Sequence, residues 1–183
     1  MRNLIYAINL SIDGCCDHTK MTGDEEIHEY FTNLLRGADL LVYGRITYQL
    51  MVPYWPDVAK NPTKEKATDE FARTFNSIKR VVFSRSLDIA DGNTRIVRTG
   101  LREEILRLKQ EEGKYILLGG VALPSQLIEL GLIDEYYFVV QPLVVGEGRR
   151  LLEGVTLPER LKLKLVDSKI LKSGGVALHY LRQ

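Results

Sequence analysis

The apolar positions change period several times along the chain, and each change marks an element. Leu4 to Ser11 is a compact run rich in Ile, Leu and Tyr, the pattern of a first strand, and Asp13-Gly14 breaks it. Thr22-Gly23-Asp24-Glu25 has capping-box spacing with Thr22 as the N-cap. Ile27, Tyr30, Phe31, Leu34 and Leu35 follow at helical spacing and Gly37 closes them, so a helix is predicted over 24–36. Asp39 to Tyr43 reads as a buried strand, and Gly44-Arg45-Ile46-Thr47 turns it into a short helix. The stretch 52–62 holds Pro53, Pro56 and Pro62, with Trp55 among them, and reads as a loop. A helix over 64–76 carries Ala67, Phe71 and Phe75 on one face. Lys79 to Phe83 is a buried strand ending at Ser84-Arg85, and Arg95 to Arg98 a short one. Leu101 to Glu112 is a helix, Tyr115 to Leu118 a strand broken by Gly119-Gly120, and Val121 to Leu130 a helix that tolerates Pro124 in its first turn.

Strand and helix alternate up to this point, which predicts a parallel sheet with helices on both faces. The grammar changes after residue 134. Glu135 to Gln141 is a strand. Leu161, Leu163 and Leu165 alternate with lysines as a half-exposed strand, and Val176 to Leu181 alternates after a turn at Lys172-Ser173-Gly174-Gly175. The C-terminal strands are therefore expected to be antiparallel and the sheet mixed. No repeat or linker divides the chain, so residues 1–183 are read as one α/β domain, in keeping with the length of 183 residues.

Charge and cysteine usage narrow the possibilities. Lys plus Arg is 25 and Asp plus Glu is 24, so no bulk basic field recommends nucleic acid as partner. The longest uncharged stretch, Tyr115 to Ile128, carries Gly, Pro, Ser and Gln and is too short for a membrane span. The N-terminus has no signal-peptide pattern. Cys15 and Cys16 are adjacent, which suits neither a disulfide nor a metal site, so a reducing cytoplasmic setting and no metal are expected.

The chemistry concentrates at three strand ends: Val42-Tyr43-Gly44-Arg45-Ile46-Thr47, Val82-Phe83-Ser84-Arg85 and Leu117-Leu118-Gly119-Gly120-Val121. Ligands of open α/β sheets sit at the carboxyl ends of the strands. Glycines there let a ligand approach the backbone, helix N-termini bind phosphate, and Arg45 and Arg85 add forked donors. Together they suggest an anion with several phosphates, such as a dinucleotide. The G-x-G-x-x-G and Walker A fingerprints are absent, which argues against a Rossmann dehydrogenase or a P-loop enzyme. His18, His28 and His179 are scattered, and no G-x-S-x-G elbow occurs. Asp24, Glu25, Glu26 and Glu29 crowd one helix start, where they complement the helix dipole. Tyr30, Tyr48 and Tyr54 line a core or one wall of an aromatic pocket.

At these junctions the chain resembles the dihydrofolate reductase superfamily, in the branch of the riboflavin-biosynthesis reductase domain. Ser11-Ile12-Asp13-Gly14, Tyr43-Gly44-Arg45-Ile46-Thr47-Tyr48, Val82-Phe83-Ser84-Arg85, Gly119-Gly120, and Leu130-Gly131-Leu132-Ile133-Asp134-Glu135 with Gln141-Pro142 and Gly146-Glu147-Gly148 match that branch's motifs in order. The resemblance implies a three-layer α/β/α fold, NADPH as hydride donor and a homodimer. It implies that Gly44, Arg45, Ile46 and Thr47 hold cofactor phosphates, and that Ser84 and Arg85 contact the adenosine 2′-phosphate. It further places Gly119, Gly120 and Val121 along the pyrophosphate and nicotinamide, and Ile12, Asp13 and Gly14 near the nicotinamide and the substrate mouth, with Ile12 and Gly14 among the cofactor-binding residues.

The expected activity is an NADPH-dependent reduction of a small heterocycle, dihydrofolate-like or ribosylaminouracil-like, with Asp13 as proton relay or simply as a turn residue. The competing expectation is a non-catalytic ligand-binding homologue. The folate enzymes grip the pterin with a carboxylate on the first long helix, a part for which Glu25, Glu26 and Glu29 are candidates.

Overall fold

The computed structural model describes residues 1–21 and 23–183. In chain order the elements are β1 (Leu4–Ser11), α1 (Glu25–Gly37), β2 (Ala38–Gly44), α2 (Arg45–Lys60), α3 (Lys66–Ser77), β3 (Lys79–Phe83) and β4 (Thr94–Val97). They continue with α4 (Leu101–Gln110), β5 (Tyr115–Leu118), α5 (Ala122–Glu129), β6 (Glu135–Gln141), β7 (Leu163–Ile170) and β8 (Val176–Arg182). The strands form one eight-stranded sheet in the order β4-β3-β2-β5-β1-β6-β8-β7. β4 through β6 run parallel, while β8 pairs antiparallel with both β6 and β7. This is the mixed α/β sheet that the periodicity predicts.

Strand alternation splits the core into two layers. Leu4, Tyr6, Leu40, Val42, Ile116 and Leu118 face α4 and α5, whose Ile105, Leu108 and Leu127 are buried against them. Ile5, Leu41, Tyr43, Val82 and Leu117 face α1, α2 and α3, whose Leu35, Val52, Phe71 and Phe75 fill the other side. Buried β-strands need apolar residues on both faces, which is why the central runs read as continuously hydrophobic rather than alternating.

Three local expectations change. Thr22, the expected N-cap, lies outside the described residues; α1 is capped by Asp24, whose carboxylate accepts from the Ile27 N–H at 2.7 Å. The proline-rich stretch is not a loop, because α2 runs from Arg45 through Pro53 and Pro56 to Lys60. Tertiary packing overrides the proline penalty there. Val52 and Val58 are buried, and Trp55 meets Phe71 with ring centroids 4.4 Å apart and His28 at 5.9 Å. The strand foreseen from Leu161 begins at Leu163, and past that residue it is exposed on both faces, because β7 is the outermost strand of the sheet.

Candidate functional site

The carboxyl ends of β2 and β5 meet at one place. Gly44 caps α2 without a side-chain hydrogen bond, and Val121 does the same for α5, so both helices leave N-terminal N–H groups open to a ligand. Gly120 sits at φ +88, and a Cβ on it would collide with the Thr47 hydroxyl. A Cβ on Gly119 would come within 3.0 Å of the Tyr43 ring. The diglycine is thus what lets the β5–α5 turn close onto the start of α2. Tyr6 holds the turn from below, its hydroxyl donating to the Gly120 carbonyl at 2.8 Å. Two open helix N-termini side by side make a positive cradle built from backbone.

Arginines extend this cradle along the sheet. Arg45 is exposed in the first turn of α2, with one nitrogen donating to Gln49 at 2.9 Å. Arg85 is exposed just beyond β3. Arg98, which the sequence reading passed over, follows β4 at the same edge and donates to the Arg85 carbonyl at 3.1 Å. The signal that could have found it was much the same as for Arg85: a basic residue within two steps of the end of a short strand.

Ser84 has a different occupation from Arg85. It is buried, and its hydroxyl accepts from the N–H groups of Ser86 at 3.2 Å and Leu87 at 2.9 Å, so it shapes the loop that carries Arg85. That loop is pinned further on. Asp91 accepts from the buried Arg80 at 2.7 Å, from the Tyr48 hydroxyl at 3.2 Å and from Thr94. Its own N–H donates back to the Tyr48 oxygen at 3.0 Å. Tyr48, on α2, therefore ties the Arg45 helix to the Arg85 loop.

On the other side of the mouth, Ile12 is exposed and Gly14 turns the chain at φ +80. The Asp13 carboxylate accepts from Ser11 at 2.6 Å, from the Val145 N–H at 3.1 Å and from the Gly146 N–H at 2.8 Å, with Arg150 at 3.5 Å. The Ser11 bond and the two amides hold this carboxyl well below the usual carboxylate range. A carboxylate so engaged carries no proton near neutral pH. Nearby, burial pushes the Cys16 thiol up to about 11, as befits an inert core group. Among the described residues no cluster of His, Cys, Asp and Glu could hold a metal, and no helix is long and apolar enough to cross a membrane.

The acidic crowd on α1 disperses. Glu25 and Glu29 are exposed, and Glu26 accepts from the Lys172 N–H at 2.6 Å and pairs with Lys169 at 3.0 Å. Of the three tyrosines, Tyr48 is buried in the network above, Tyr30 packs edge-on against Phe31, and Tyr54 is exposed beside Trp55.

A groove of about 960 Å³ opens at the opposite, amino ends of the strands, with Arg36, Arg80, Arg95 and Arg107 in its wall. Arg36 and Arg107 lie in the last turns of α1 and α4, while Arg80 and Arg95 stand on β3 and β4; all four are already paired, Arg36 with Glu70, Arg80 with Asp91, and both Arg95 and Arg107 with Glu104. Arg36 and Arg107 also complement the dipoles of their helices, and the carboxyl edge remains the place where unspent donors converge.

The family model described as the RibD C-terminal domain matches residues 2–177. The chain belongs to the RibD C-terminal domain family. Protein YyaP of Bacillus subtilis strain 168 is 34% identical over 151 residues, covering 82% of this chain and 77% of that one. Protein YwjB of the same organism is 26% identical over 192 residues, covering 99% and 98%. Among solved structures, a riboflavin biosynthesis protein from Shewanella superposes with a TM-score of 0.76 at 18% identity, covering 100% of this chain and 99% of the other. The dihydrofolate reductase of Enterococcus faecalis, solved with NADP(H), gives 0.66 at 15% identity, covering 99% and 96%. These likenesses establish a dihydrofolate reductase-like fold and suggest a reductase-type function.

Proposed function

We propose that this protein is an NADPH-dependent reductase of a small planar acceptor. The observation that carries the reading is the paired, uncapped N-termini of α2 and α5, locked together by Gly120 against Thr47. Such a cradle fits a pyrophosphate without needing many charges. Gly44, Arg45, Ile46 and Thr47 would hold phosphate at the start of α2, with Gly119, Gly120 and Val121 along the pyrophosphate and nicotinamide. Arg85, backed by Arg98, would take the 2′-phosphate, with Ser84 setting the loop. Ile12 and Gly14 would border the nicotinamide, and Asp13 would hold their turn closed rather than relay a proton. When bound, NADPH supplies a hydride; the accompanying proton is then drawn from water. A second copy of the chain is assigned to the open edge of β7, where Leu165, Val166 and Ile170 are exposed.

Titration of the protein with NADPH and NADH, followed by nicotinamide fluorescence, tests the reading. NADPH is expected to bind at least tenfold more tightly, and Arg85→Ala to lose most of that preference. Failure of both cofactors to bind at millimolar concentration refutes the reading. The saturated Asp13 favours one alternative, a ligand-binding homologue without turnover. That alternative gains if NADPH binds yet no acceptor oxidises it.

A further inference from the structure

We propose that Tyr6 is a positioning residue for the cofactor turn: its hydroxyl fixes the Gly120–Val121 peptide so that the Val121 N–H faces the bound dinucleotide. The inference rests on the reductase reading and adds to it a residue buried beneath the site.

Tyr6 is held rigidly. It lies on β1 in register with Leu118, the last residue of β5, and has no exposed surface. It belongs to the same buried layer as Leu118 and Leu123, and its ring stands edge-on to those of Tyr136 and Phe138, with centroids 6.4 and 6.1 Å away. Close packing of this kind leaves the ring one direction. The hydroxyl reaches past the end of β5 and donates to the Gly120 carbonyl at 2.8 Å. Burial holds this phenol well above its usual value, with Cys16 and Tyr136 adding, so it keeps its proton and remains a donor across the neutral range.

The carbonyl that Tyr6 takes belongs to the peptide joining Gly120 to Val121. In a trans peptide the C=O and the N–H point to opposite sides of the chain. Tyr6 lies below the turn, level with Leu118, so the opposite side is the open carboxyl edge of the sheet. The Val121 N–H is therefore turned outward, and among the described residues nothing accepts from it.

Neither flanking element fixes that direction. β5 stops at Leu118, and Val121 has φ −123 and ψ −57 rather than helical angles, so its N–H does not follow the α5 axis. Gly120, at φ +88, joins the two and is the residue type with the widest choice of conformations. The Tyr6 hydrogen bond selects one of them. The donor so placed matters because α5 is short of donors: position 124 is proline and has no N–H, and the Ser125 N–H already bonds to the Val121 carbonyl. A backbone donor aimed in advance at a ligand oxygen binds it without a cost of reorganisation.

A buried tyrosine hydroxyl ordinarily takes a nearby acceptor for stability alone, and the test separates the two roles. Tyr6→Phe keeps the ring and deletes the hydroxyl; Tyr136→Phe is the neighbouring control. NADPH and NADH titrations are read by nicotinamide fluorescence, stability by thermal melts, and the backbone by amide NMR with and without NADPH. In Tyr6→Phe both cofactors should bind about tenfold more weakly, the effect one hydrogen bond can have on an orientation. The preference for NADPH should stay within twofold, in contrast to Arg85→Ala. Tyr136→Phe should change neither affinity more than twofold. In the unaltered protein the Val121 amide should shift on NADPH binding and exchange with solvent at least tenfold more slowly. A lower melting temperature in Tyr6→Phe with cofactor affinity unchanged marks a purely structural tyrosine and overturns the inference. So does a Val121 amide that NADPH leaves unmoved in the unaltered protein, a measurement that stands even where the variant does not fold. Absence of NADPH binding by the unaltered protein instead removes the reductase reading on which the inference rests.

Discussion

Gly120 shows how one residue can serve both fold and site. Its φ of +88 lies where side chains are disfavoured, and the Thr47 hydroxyl occupies the space a Cβ would need. Gly120→Ala is expected to cost about 1–3 kcal/mol in a urea melt, from backbone strain and the displaced Thr47. NADPH affinity should fall at least tenfold, because the two helix starts can no longer close on each other. Combining it with Thr47→Ala should return part of the stability but not all, since the φ penalty remains. Gly44 is different: a Cβ there meets only Leu123 at 3.5 Å, an ordinary contact. The strand-end motifs contain both glycines and do not distinguish them. Asp13 is the reverse case, legible as a residue at the mouth but not as one whose oxygens are already filled from residues 145 and 146.

At the scale of elements, the coupling of α2 to the β3–β4 connection is what a strand-by-strand reading misses. Tyr48 and Asp91 exchange two hydrogen bonds, and Arg80 reaches Asp91 from the core while stacking 5.1 Å above Phe75. Tyr48→Phe leaves Asp91 short of two bonds. The expected loss is about 1–2 kcal/mol, seen as a melting temperature lower by about 2–6 °C. NADPH should bind severalfold more weakly while NADH changes less, because the loosened segment carries Arg85. The elements themselves were largely legible: β1, β3, β5 and β6 have the ends that periodicity gave them. The proline stretch reads as a loop because propensity is local, whereas Phe71 on α3 and His28 on α1 pack against Trp55 and stabilise α2 from outside it.

The whole molecule should respond to acid in two stages. His28 is held below the usual imidazole value of about 6.5, first by burial, so the unfolded chain takes up a proton there before the folded one does. Stability is therefore expected to decline as the pH falls below about 6.5. Glu104 is drawn from 4.5 down to about 2, chiefly by the hydrogen bond from Arg107 with Arg95 adding, while burial opposes. Its contribution is complete above 4.5 and is lost as the pH falls from there toward 2. Thermal melts from pH 8 to pH 2.5 should show both declines; His28→Phe should flatten the first and Glu104→Gln the second. The near-even balance of 25 basic and 24 acidic residues is no obstacle to an anion site of this kind. Most of its proposed donors are backbone N–H groups, which a charge count does not register. The sequence by itself determined the strand and helix order, the mixed sheet and the strand-end motifs, because hydrophobic period and glycine placement are local properties. Only the tertiary structure decided which strand ends are neighbours and which carboxylates are already engaged. Those depend on sheet order and on contacts between residues such as Asp13 and Gly146 or Tyr48 and Asp91, distant along the chain and adjacent in space.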